Sequence, residues 1–174
     1  MSFRGEVAAR MSIFQDGGGV GGPFSANEIS ILDMLTDGTT AGKFDRAYMA
    51  ERTLASAATD SLDVAGGLTD AFGASITMVE IAAIFILNKP RLSTEVANTT
   101  DLTLFGGSNP FPGILGGTTP TIGPIKPGGF AMLAAGMHAS GIGAVVAATG
   151  DIVRIVNGSG ASNKYQIGIL GRSA

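Results

Sequence analysis

The sequence predicts an all-β chain, a jelly-roll-like β-sandwich entered through an extended N-terminal arm that carries one short helix. Three observations lead there. From Tyr48 onward the apolar residues fall in short runs split by glycine, proline and asparagine, as sandwich strands and their turns do. Glycine makes up 27 of the 174 residues, more than twice its usual share of about 7%. Charged residues are only 14% and crowd forward, with 13 of the 25 in residues 1–60 and six in the last 74 residues. A surface so short of charge is most stable when covered, so the chain is expected to hide area against other chains.

The arm spans residues 1–46 and the sandwich body residues 47–174. Within the arm, Gly17-Gly18-Gly19-Val20-Gly21-Gly22-Pro23 reads as a flexible hinge, because glycine holds no single backbone conformation. Ser25-Ala26-Asn27-Glu28 matches a capping box. Ile29, Leu32 and Leu35, with Ile31 between them, then supply a helical stripe that Asp37-Gly38 ends. A helix of about ten residues is marginal alone. Phe24, Ile29, Leu32 and Leu35 are therefore candidate interface residues that need something to dock on.

In the body, strands are expected at 48–54, 61–64, 75–87, 95–97, 102–105, 129–134, 143–147, 151–156 and 164–170. The run 81–87 has a periodicity open to a buried helix, but its isoleucine and phenylalanine content and the Asn88-Lys89-Pro90 stop favour a central strand. Segments 151–156 and 164–170 flank Asn157-Gly158-Ser159-Gly160 and look like an antiparallel hairpin. In the second of them Tyr165, Ile167 and Ile169 alternate with Gln166, Gly168 and Leu170, which makes one face apolar.

Composition removes several chemistries. Without cysteine there is no disulfide framework, thiolate zinc site or cysteine nucleophile, and one histidine excludes any site that needs two. A net charge of −3 with no basic block argues against direct nucleic-acid binding. The longest apolar run, 81–87, is far shorter than the ~20 residues of a membrane span. The first ten residues carry Arg4, Glu6 and Arg10 with no long apolar stretch behind them, so no signal peptide is expected and the chain should be made and assembled in cytoplasm.

The remaining motifs have simpler readings. The glycines at 17–22 formally satisfy G-x-G-x-x-G, but no strand precedes them and Pro23 follows, so they read as a linker and not a dinucleotide cradle. His138, in Gly136-Met137-His138-Ala139-Ser140, lies near a serine without the elbow or acid of a triad, and reads as a surface or interface residue. Asp60, Asp63, Asp70 and Asp101 form no calcium loop and read as turn residues. Phe111, in Asn109-Pro110-Phe111-Pro112-Gly113, is open to two readings, a contact residue or a loop residue tucked back onto the sandwich. No catalytic residue, cofactor or metal site is expected.

The stretch from Arg52 to Thr77 that includes Leu62-Asp63-Val64-Ala65-Gly66-Gly67, the Gly106-Gly107-Ser108-Asn109-Pro110-Phe111 segment, the Lys126-Pro127-Gly128-Gly129 turn and Ala148-Thr149-Gly150-Asp151-Ile152-Val153-Arg154 together resemble small virion proteins of tailed bacteriophages and prophages. The resemblance covers roughly residues 50–172 and rests on turns and strands. It implies a β-sandwich that assembles on a virus particle, as capsid cement or decoration, with the major capsid protein and further copies of itself, in a homotrimer, as partners. A head-spike base, a tail or fibre-associated component, or a sandwich that binds a host glycan are the alternatives. The glycan reading requires Tyr48 or Tyr165 to face solvent, and a small glycosidase or esterase requires converging acids or a Ser140–His138 pair in a cleft.

Overall fold

Two long N-terminal segments alternate apolar and polar residues, and each supplies the other with a strand partner. In the computed structural model, which describes residues 2–16 and 24–174 with the side chains at 15, 16, 24–26 and 114 outside that description, they form β1 (Arg4–Asp16) and β2 (Phe24–Asp37). The pairing is antiparallel and unbroken from Arg4 opposite Thr36 to Asp16 opposite Phe24. The expected helix is thus a strand. Ile29, Leu32 and Leu35 fit a helical period while Ile29, Ile31 and Leu35 fit a period of two, and a partner carrying Val7, Ala9, Met11 and Ile13 on the same face decides for the strand. The expected hinge at residues 17–23 lies outside the described residues.

The chain continues through β3 (Lys43–Phe44), β4 (Arg46–Leu54), β5 (Thr59–Asp63), the small hairpin β6 (Leu68–Thr69) and β7 (Ser75–Ile76), and β8 (Glu80–Leu87). It then forms β9 (Leu102–Phe105), β10 (Thr121–Ile125), β11 (Phe130–Ala134), β12 (Gly143–Ala144), β13 (Ile152–Asn157) and β14 (Asn163–Arg172). A four-stranded and a five-stranded sheet make the sandwich. Their orders are β10-β9-β13-β5 and β11-β8-β14-β4, with β12 added beside β8. Strands at matching places in the two orders are consecutive in the chain: β10 with β11, β9 with β8, β13 with β14, β5 with β4. Each of these four pairs passes from one sheet to the other, and the result is an all-β sandwich.

The core lies between the sheets. Leu62, Leu102, Leu104, Val153 and Ile155 face Ile84, Ile86, Tyr165, Ile167 and Ile169, all buried. The arm does not enter this core. Its root, Val7 and Leu35 together with Phe44, packs on the outside of the second sheet against Ala83, Ala47, Ala134 and Leu170.

Several sequence expectations change. The anticipated hairpin of 151–156 with 164–170 is a crossing: β13 pairs with β5 and β9, β14 with β4 and β8, so the intervening loop steps from one sheet to the other. Residues 75–87 break at Thr77–Val79, where Met78 and Val79 bond to Val64 and Arg172 instead of continuing the ladder. Residues 95–97 form no strand; Asn98 holds this stretch against Lys164 through paired side-chain and backbone bonds. Strand β10 was not expected because it contains Gly123 and Pro124, and it exists because it is a sheet edge, where proline's missing donor costs no ladder bond.

All four crossings meet at one end around buried amides. Asn88 donates to the carbonyls of Thr100 (2.9 Å) and Ile125 (2.8 Å) and accepts from Asn98 (2.7 Å) and Asn163 (3.0 Å). Asn163 also donates to the Thr100 carbonyl (3.0 Å). The Thr100 hydroxyl donates to Asn157 (2.6 Å), which donates in turn to Ala55 (2.8 Å) and Ala161 (2.9 Å). Removing one member leaves several partners buried and unpaired. Asn163→Ala is expected to lower stability to urea by about 3 kcal/mol, whereas Ser159→Ala, on the exposed side of the same crossing, changes it by less than about 0.5 kcal/mol.

Candidate functional site

The polar clusters of the body are consumed by the fold. Asp60 of β5 takes a two-pronged bond from Arg52 of β4, with Nη2 to Oδ1 at 3.0 Å, and accepts the Tyr165 hydroxyl at 2.7 Å; Arg52 reaches the Tyr48 hydroxyl at 3.1 Å. The cluster ties β4, β5 and β14 across the sandwich edge. Burial, followed by the bond to Asp60, pushes the Tyr165 phenol well above the ordinary tyrosine value, and the hydrogen bond to Asp60 raises Arg52. Both tyrosines are buried, so neither is a solvent-facing platform for a sugar.

The other acids serve turns or ion pairs. Asp63 accepts the Ala65 amide (2.8 Å), Asp70 those of Phe72 (2.8 Å) and Ala74 (2.9 Å), and Asp101 pairs with Lys126 (2.7 Å). Among the described residues no group of three or more histidines and acids is placed to hold a metal ion, and no helix is long and apolar enough to cross a membrane.

His138 lies in an exposed loop, and its Nδ1 accepts the backbone amide of Ser140 at 3.1 Å. That contact is a turn bond and does not place the serine hydroxyl on the imidazole. The loop is held from beneath by Arg172, fully buried at the end of β14. Its guanidinium donates to the carbonyls of His138 (3.1 Å), Ala139 (2.5 Å) and Lys43 (2.8 Å) and pairs with Glu80 (2.7 Å).

Of the candidate interface residues, Ile29 and Leu32 are exposed on the arm, on opposite faces of β2. Leu35 is buried at the arm root, because period two places it with Val7 against the body. Phe111 is also buried, its ring 6.2 Å from that of Phe105, so the proline-flanked loop is tucked back. The Phe24 side chain lies outside the described residues.

Two apolar surfaces escaped the sequence reading. One is the arm face beyond its root, where Met11 and Ile29 stand opposite each other, 61% and 77% exposed. The reverse face is mixed: Arg10 pairs with Glu28 at 2.6 Å there, beside exposed Leu32, Met34 and Phe14. The second is the outer face of the β4–β14–β8–β11 sheet. There Met49, 88% exposed, and Phe85 flank Gly168, and Phe85 stacks on Phe130 at 5.7 Å. A groove of about 560 Å³ runs between this face and the first residues of β1. Alternation in β1, from Val7 through Ala9 and Met11 to Ile13, is the signal that could have revealed the arm face. Comparison with models of protein families, with curated proteins and with solved structures finds no match.

The Tyr165 environment predicts an alkaline limit. A free phenol ionises near pH 10, while the folded protein keeps Tyr165 neutral above that value. The unfolded chain therefore releases the proton first, and stability falls as pH rises above about 10. In Tyr48→Phe, which leaves Tyr165 as the sole tyrosine, the tyrosinate absorbance band should stay absent through pH 10 and emerge only as the folded circular dichroism is lost.

Proposed function

We propose that the chain is a structural virion protein of a tailed bacteriophage, a cement or decoration protein that stabilises the head by bridging major capsid subunits. The single observation behind this reading is the arm: a two-stranded ribbon whose root is anchored on a sandwich and whose apolar face continues uncovered beyond it. A free two-stranded ribbon is marginal in water, so such an arm gains its stability from whatever it covers. The phage-like turn and strand patterns of the body point the same way. So does the use of Asp60, Asp63, Asp70 and Arg172 in holding the fold together. The partners are the major capsid protein and further copies of the chain in a homotrimer, at the capsid surface, with assembly in the host cytoplasm.

The work asked of such a protein is modest per copy. At about 25 cal/mol per Å², hiding ~400 Å² of apolar area is on the order of 10 kcal/mol before the costs of association are subtracted. What survives acts at each junction of a shell and opposes the pressure of packaged DNA. Particles that lack the protein are expected to release DNA at lower temperature than complete ones, with His138→Ala and Ser140→Ala leaving heat resistance unchanged. Equal heat resistance with and without the protein, together with lost adsorption to cells, would place it instead among receptor-binding components.

A further inference from the structure

The arm's root shows what the Val7–Leu35 face of the ribbon binds. Register puts Val7, Ala9, Met11 and Ile13 on one face with Ile29, Ile31 and Leu35, and with Asn27 and Asp33 between them. The root end of that face lies on a cross-strand row of the body, Ala47–Leu170–Ala83–Ala134. The next row of the same sheet is Met49–Gly168–Phe85–Met132, beside the 560 Å³ groove. Gly168 makes a notch in it. A Cβ there would meet only the Met49 Cε, at 3.9 Å, and the residue takes no left-handed φ, so nothing in this chain requires glycine. A glycine inside a strand weakens it and often marks a place where another backbone comes close.

We propose that this notched row is the docking slot for the distal half of the arm of a second copy of the chain, so that copies join head to tail. The contact continues an interface already present within the chain: the same arm face on the neighbouring row of the same sheet. Met11, Ile13, Ile29 and Ile31 would each hide on the order of 100 Å², so one arm–slot contact covers about 800 Å² from both sides. In a closed ring each copy gives one arm and one slot, so it hides about 800 Å² in all, the size of a weak contact that closure of the ring reinforces. The proposal names the self-contact of the virion reading and takes its setting from it, but its test uses no particles.

Sedimentation of the full chain at concentrations up to about 100 μM reads the association, a closed trimer of 17.5 kDa chains weighing about 52 kDa. Gly168→Val fills the notch with a residue that strands favour, and the double variant Met11→Ser/Ile29→Ser removes one exposed cross-strand pair. Each is expected to weaken association at least tenfold while circular dichroism and melting temperature hold. An equimolar mixture of the two should regain association as one-to-one pairs, since the intact arm of one meets the intact slot of the other. A wild-type chain that stays monomeric overturns the proposal. So does a Gly168→Val chain that associates like wild type, or a mixture that fails to recover, and these outcomes leave the DNA-release test untouched.

Discussion

The sandwich depends on how four chain crossings are satisfied at one of its ends. Where a strand leaves its ladder for the opposite sheet, backbone carbonyls lose their partners while still buried, and an unpaired buried carbonyl is expensive. Asparagine suits the position because one side chain donates twice and accepts twice. Asn88, Asn157 and Asn163, joined by Thr100 and Asn98, reach carbonyls on all four crossings: Ala55, Thr100, Ile125 and Ala161. Each sheet is thereby held in register with the other, so that Tyr165, Ile167 and Ile169 meet Val153 and Ile155 across the core.

The far end is closed by different chemistry. Arg172, one strand length from Asn163 on β14, is buried with its guanidinium on three carbonyls and Glu80. One of those carbonyls belongs to Lys43 of β3, which pairs with the end of β2. The C-terminal strand therefore ties the arm's root to the sandwich. This explains the unbroken apolar character of 81–87. Ile84 and Ile86 face the core, while Ala83 on the other side is covered by the arm root, so the strand is apolar on both faces for two different reasons. Phe85 is what remains outside that cover.

The polar side chains that sequence reading weighs for chemistry are absorbed by these two ends and by the Arg52–Asp60–Tyr165 tie. Apolar surface is left over along the arm and on the outer sheet face. Its importance comes from adjacency. Met49, Gly168 and Phe85 are scattered in the chain and unremarked singly, and the ladders of β4, β14 and β8 set them in one row.

The sequence by itself determined the all-β class, the strands of the body from β4 to β14 with few exceptions, and the apolar face of Tyr165, Ile167 and Ile169. These follow from local alternation and from turn residues, which act over a few positions. Tertiary structure alone decided three other matters: that 24–37 is a strand, that β13 and β14 lie in opposite sheets, and that Leu35 and Phe111 are buried. Each depends on a partner distant in the chain. Alternation records which face of a segment is covered and not what covers it, and a run such as Ile29–Leu35 satisfies two periods until β1 lies beside it.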